Sequence, residues 1–112
     1  MWRHGGLCKL DEDRIIVKTA KKQSLSVISI SKKEIIKVIN HPFECNAIYL
    51  IKDKGIFLIG GNSKDIMIYR NDNYECIQTI KDAHDNDIND FSELKDGTII
   101  SCSYKIMKIW NF

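Results

Sequence analysis

His84, Asp85, Asp87, Ser101 and Ser103 bring together, in the last third of the chain, the side chains of a nucleophilic triad. A histidine base oriented by a carboxylate can activate a serine hydroxyl for attack. The surrounding sequence argues against that use: no Gly-x-Ser-x-Gly elbow holds either serine and no loop offers an oxyanion site. The stretch Asp82-Ala83-His84-Asp85-Asn86-Asp87-Ile88-Asn89-Asp90 also concentrates four carboxylates, and Asp85, Asp87, Asn89 and Asp96 fall at positions 1, 3, 5 and 12 of a calcium-loop count. That count fails where it matters, because position 6 needs glycine and is Asp90, and position 12 needs a bidentate glutamate and is Asp96. His41 and Cys45 are spaced like two metal ligands, but no second pair completes a tetrahedral zinc site. The four cysteines, Cys8, Cys45, Cys76 and Cys102, stand 37, 31 and 26 residues apart with no Cys-x-x-Cys pair, and read as reduced, buried thiols. The expectation is a chain without catalytic residues, cofactor or metal.

The elements that hold these residues are strands. Isoleucine occurs 20 times and lysine 14 times while alanine occurs only three times, which favours β-branched strands separated by charged turns. Apolar residues recur at every second position, as in Leu25/Val27, Ile66/Ile68 and Met107/Ile109, placing alternate side chains on one face of a strand. Turn residues separate them: Asp11-Glu12-Asp13, Asp53-Lys54-Gly55, Asn71-Asp72-Asn73 and Lys95-Asp96-Gly97.

A repeat organises the strands. Shifting the chain by 41 residues superposes apolar positions three deep: Val17 on Leu58 and Ile99, Leu25 on Ile66 and Met107, Val27 on Ile68 and Ile109, Ile28 on Tyr69 and Trp110. A second stretch matches twice, Glu34 on Glu75, Ile36 on Ile77 and Ile39 on Ile80. The units span about 1–40, 41–81 and 82–112, and the second predicts strands over Ala47 to Ile51, Ile56 to Gly60, Ile66 to Arg70 and Cys76 to Ile80. Four strands in a unit of this length point to an all-β, partial β-propeller of about three four-stranded blades, the last lacking its outer strand.

The stretches Ala83-His84-Asp85, Asp96-Gly97-Thr98-Ile99-Ile100-Ser101-Cys102-Ser103 and Lys108-Ile109-Trp110-Asn111 resemble a WD-repeat unit. The second unit looks like a weaker copy through Asn40-His41, Lys54-Gly55, Gly60-Gly61-Asn62 and Ile68-Tyr69-Arg70, and the first is weaker still, retaining Thr19-Ala20 and Val27-Ile28-Ser29. The resemblance implies a structural hydrogen-bond network of His84, Ser101 or Ser103, and Trp110, with His41 and Tyr69 at the matching positions one unit earlier. It also implies that the network is incomplete, because the aspartate expected before the tryptophan strand has no counterpart beside Tyr104-Lys105.

WD-repeat proteins serve mostly as rigid platforms on which proteins or peptides dock, so the resemblance implies a non-catalytic protein-interaction scaffold. The alternative is a regulatory or substrate-binding propeller portion of a larger enzyme, such as a kinase or ubiquitin-ligase component. The loops leading into the innermost strands lie at one rim, which nominates Asp85, Asp87 and Asn89 as partner contacts, with Cys45 and Asn46 one blade earlier. No nucleic acid is expected: 17 basic residues against 15 acidic ones give a net charge of only +2, and Lys21-Lys22 and Lys32-Lys33 have no interleaved aromatics. No membrane is expected either, since no apolar run approaches the ~20 residues needed to span one. The sequence opens without a signal-like apolar stretch, which gives cytoplasmic placement as the expectation, with the nucleus also open to it. Net charge runs from +5 over residues 1–40 through 0 over 41–81 to −3 over 82–112, the complementary pattern that would aid head-to-tail association. Three blades are too few to close a ring of ~4 to 8. The chain is therefore expected to be a fragment of a longer propeller, and by itself to associate through its open blade edges.

Overall fold

The computed structural model describes residues 7–19 and 23–112 and contains eleven strands in three antiparallel sheets. The first sheet is β1 (Leu7–Lys9), β2 (Arg14–Lys18), β3 (Ser24–Ser29) and β4 (Glu34–Asn40) in sequential order. The second is β5 (Cys45–Ile51), β6 (Ile56–Gly61), β7 (Ile66–Arg70) and β8 (Cys76–Ile80), and the third is β9 (Ile88–Glu93), β10 (Ile99–Ser103) and β11 (Ile106–Trp110). Each sheet is a meander in which neighbours in sequence are neighbours in space, so tight turns suffice as connections. One of these turns, Asp96-Gly97, is closed by Gly97 at φ 88°, a conformation that side chains rarely adopt. The four strands expected in the second unit are all present, with β5 beginning two residues earlier and β6 ending one residue later than anticipated. Ala20, Lys21, Lys22 and the first six residues lie outside the described residues.

The three sheets stand side by side, with β5 packed between β1 and β9. Two cores fill the spaces between them. Ile16, Leu25 and Val27 of the first sheet meet Cys45, Phe57, Ile59 and Tyr69 of the second, where Phe57 and Tyr69 stack at 5.2 Å. Leu58, Ile66 and Ile68 on the other face of the second sheet meet Ile88, Phe91 and Ile99 of the third. Burying each such aliphatic or aromatic side chain contributes about 1.5 to 3 kcal/mol, so the faces between sheets hold the array together. Arg14 ties the first two sheets at their lower end, donating through Nη1 to the Asn71 carbonyl at 2.8 Å and to the Tyr74 hydroxyl at 2.7 Å.

The pairing corrects one part of the repeat. Residues directly opposite in an antiparallel pair share a face. Val27, Ile68 and Ile109 do correspond, but their partners are Ile16, Leu58 and Ile100. The hairpin joining the second and third strands is thus one residue shorter in each successive sheet. A constant 41-residue shift therefore places Val17, Leu58 and Ile99 together although they do not share a face: Leu58 looks toward the third sheet, while Ile99, opposite Trp110, looks back toward the second.

Candidate functional site

His84 lies in the loop leading into β9, and that loop is anchored from below and from the side. Its backbone N–H donates to the Lys64 carbonyl at 3.1 Å, and the Asp82 N–H donates to Asp65 Oδ1 at 2.9 Å. One sheet earlier the His41 N–H donates to the Gln23 carbonyl at 3.0 Å, and Gln23 and Lys64 are themselves 41 residues apart, so the two histidines occupy equivalent positions.

The side chains differ because their surroundings do. Trp110 Nε1–H donates to Ser101 Oγ at 2.7 Å, and Ser101 Oγ stands 2.6 Å from His84 Nε2. The serine oxygen thus joins the indole and the imidazole in one chain of bonds, accepting from Trp110 and sharing a hydrogen with His84 Nε2. Burial lowers the His84 pKa, and the Lys108 charge lowers it further. Nδ1 has no hydrogen-bond partner among the described residues, which is where the missing loop aspartate would be felt. Ser103 is not part of this chain of bonds. Its hydroxyl donates to the Asp87 carbonyl at 2.8 Å and fixes the rim instead.

In the second sheet the network is absent. Ser101 pairs with Lys108, and at the matching place Ile59 pairs with Met67, so an isoleucine stands where the serine would be. Neither His41 ring nitrogen has a hydrogen-bond partner among the described residues; the ring tilts against Phe43 at 5.6 Å and burial lowers its pKa. Tyr69 replaces the tryptophan, stacks on Phe57, and keeps a neutral phenol whose pKa burial pushes up to about 12.

The surroundings of Ser101 and His84 are those of a buried structural contact. Both are buried, the serine hydroxyl meets two partners, and no carboxylate among the described residues orients His84 Nδ1. The calcium-loop count fails in space as well: β9 runs through its middle, carrying Asp96 to the far end of the strand, where its carboxylate accepts from the Thr98 N–H and hydroxyl.

Of the rim residues expected to meet a partner, Asp85, Asp87 and Asn89 are exposed and Asn46 is half-buried. Cys45 is not at the surface. It is fully buried between the first two sheets, its thiol reaches the Ala47 carbonyl at 3.4 Å, and burial pushes its pKa up to about 11, so it is a core residue. Sequence reasoning missed Asp65, which also faces the Lys81 ammonium at 3.5 Å, and Arg14; nothing in their spacing marks them, because each matters through a loop brought close only by folding.

Meandering antiparallel sheets set side by side, with two faces filled by neighbouring sheets, are blades of a β-propeller. The chain's fold is that seen in solved WD40 β-propeller structures. The chain superposes on "Structure of U3-55K" with a TM-score of 0.82 at 19% identity, covering 96% of this chain and 36% of that one. It matches "Crystal structure of RRP9 WD40 repeats" with a TM-score of 0.82 at 20% identity, covering 96% and 35%, and "Crystal structure of WD40 beta propeller domain of Doa1" with 0.79 at 18%, covering 96% and 36%. The chain thus spans about a third of the length of each. No family model matches it, and no curated protein does.

Proposed function

We propose that this chain is a non-catalytic scaffold on which a protein or peptide docks, serving as three blades of a larger propeller ring. The observation that carries the proposal is the built rim: Asp85 and Asp87 are exposed on a loop whose backbone is held by His84, Asp65 and Ser103, and Asn89 is exposed just inside β9. A loop fixed this firmly presents its side chains at low entropic cost to binding. The carboxylates give that surface a negative sign, which suits a basic or hydrogen-bond-donating partner. The coverage of about a third of each similar structure supports the larger ring, and four unpaired thiols suit a reducing compartment such as the cytoplasm.

The test is a charge reversal, Asp85→Lys with Asp87→Lys, compared with Lys95→Glu on the opposite rim by quantitative affinity capture. The reading expects recovery of specific partners to fall at least tenfold with the first pair and to hold with the second, at equal folded stability. An unchanged partner set for the aspartate pair overturns it.

A further inference from the structure

The segment from Asp82 to Asp87, which leads into β9, is a strap held at three places. At its start the Asp82 N–H donates to Asp65 Oδ1 at 2.9 Å, and at its end the Asp87 carbonyl accepts from the Ser103 hydroxyl at 2.8 Å. Between these ends Ala83 and His84 are buried between the second and third sheets, whereas Asp85 and Asn86 are exposed. The middle hold is His84, through its N–H to the Lys64 carbonyl at 3.1 Å and through Nε2 to Ser101 Oγ at 2.6 Å. The end holds rest on a carboxylate and a hydroxyl. The middle one rests on an imidazole, a group that ordinarily changes charge between pH 5 and 8.

A charged imidazole donates from both ring nitrogens. Nε2 has Ser101 Oγ as its partner, but Nδ1 is buried and has no acceptor among the described residues. A buried cation with an unmatched donor is costly, and moving into water relieves that cost. The surrounding groups do not offset it. Lys108 on β11 opposes a positive ring, and Asp85, which favours one, is exposed. Asp65, in the loop between β6 and β7, already accepts from the Asp82 N–H and faces the Lys81 ammonium at 3.5 Å. β10 supplies the Ser101 hydroxyl, which also accepts from the Trp110 indole of β11. A carboxylate on Nδ1 would hold the charged ring in place, and its lack makes the middle hold sensitive to a proton.

We propose that protonation of His84 lifts the middle of the strap off the sheets and so releases a basic partner from the rim, placing docking there under the control of pH. The release rests on the docking reading above, whereas the movement of the strap does not. The coupling is reciprocal: a cation docked on Asp85 and Asp87 disfavours a second positive charge on His84, and a proton on His84 weakens the dock. One linked proton changes affinity by up to about tenfold per pH unit.

The repeat supplies a contrast. His41 occupies the equivalent place, and neither of its ring nitrogens is bonded among the described residues. It is followed by Pro42 and the buried Phe43, not by exposed acids, so its protonation disturbs the core between the first two sheets instead of the rim.

The test follows the full chain by NMR from pH 7.5 to 4.5, reading the His84 imidazole and the backbone amides together. Exchange of the His84 amide, corrected for its intrinsic pH dependence, is expected to speed up at least tenfold at the midpoint of the imidazole, and Asp85 and Asn86 to become mobile with it. The amides of β6 and β10 should stay protected. His41→Phe should keep this behaviour, and His84→Gln should abolish it. Hexalysine at fixed ionic strength is the docking probe: it should bind at pH 7.5 and at least fivefold more weakly below the His84 midpoint, with less than a twofold change over the same range in His84→Gln. Titration of His84 without faster exchange at its amide, loss of protection in all strands together, or loss of the effect in His41→Phe would each overturn the proposal. Equal hexalysine affinity above and below the midpoint, despite a loosened strap, would overturn the control of docking by pH. Absence of hexalysine binding at pH 7.5, with the strap still loosening, would instead overturn the docking reading and leave the strap movement standing.

Discussion

Replacing Ser101 by alanine removes one oxygen and breaks two contacts, and the cost can be worked from their surroundings. Ser101 is fully buried, as is His84, whereas Trp110 is half-buried and its indole N–H can turn toward water. Losing a hydrogen bond costs about 0.5 to 1.5 kcal/mol net, and a buried polar group left without a partner about 1 to 3 kcal/mol more. His84 would then have both ring nitrogens orphaned, so Ser101→Ala should destabilise by about 2 to 4 kcal/mol. Equilibrium urea denaturation followed by circular dichroism measures this as a midpoint about 1 to 2 M lower. Tyr69→Phe is the internal control: the phenol reaches only the Met67 sulfur, at 4.0 Å, so its loss should cost less than about 0.5 kcal/mol. A double-mutant cycle of Ser101→Ala with Trp110→Phe should show a coupling of about 1 kcal/mol or more. A Ser101→Ala cost below about 0.5 kcal/mol, or no coupling to Trp110, would refute the network as a stabilising device.

Stability should fall on mild acidification. Burial holds the pKa of both His41 and His84 below the usual ~6.5, so the unfolded chain takes up protons first as pH falls. Their contribution is complete well above pH ~6.5 and is lost as pH falls toward the folded-state values, at no more than about 1.4 kcal/mol per pH unit for each histidine; denaturation midpoints at pH 7.5 and 5.5 that coincide would contradict this. Gly61→Ala should cost about 3 kcal/mol or prevent folding, because a Cβ there would overlap the Glu44 carbonyl oxygen and the Asn46 nitrogen, both backbone atoms of the neighbouring segment; a thermal melt unchanged within 2 °C would show that the strands are not this close. Met107→Lys with Ile109→Lys should reduce self-association in light scattering while leaving the denaturation midpoint within about 0.5 kcal/mol, since both side chains are exposed; a large loss of stability would mean that they are packed.

The strands were legible because each needs only a local signal. Alternation in Ile66/Ile68 and Met107/Ile109 shows an apolar face whatever the rest of the chain does, and Asp96-Gly97 marks its turn by conformational need. Quantities set by pairing were less legible. A fixed period could not show that the hairpin before Leu25, Ile66 and Met107 shortens by one residue each time, since dropping one residue there changes which β-strand partner shares a face without disturbing either strand's own alternation. Ser101 and Ser103 lie on the same face of β10, so parity could not choose between them; depth did, with Ser103 two pairs nearer the rim and within reach of the Asp87 carbonyl. Cys45 was misplaced at the rim because β5 begins at that residue rather than at Ala47, turning its side chain into the core. The histidines show the limit of resemblance: one repeat position holds a bonded His84 and an unbonded His41, and the difference lies in whether serine or isoleucine stands opposite the third strand.

The central claim, that this propeller segment is a docking platform with its contact surface at the Asp85 to Asn89 rim, is tested most directly by site-specific photocrosslinking. A photoreactive residue at position 87 should yield one or a few discrete, saturable protein adducts, and the same residue at position 95, at the opposite end of β9, should yield none above background. Equal adducts from both positions, or none from position 87, would contradict the account.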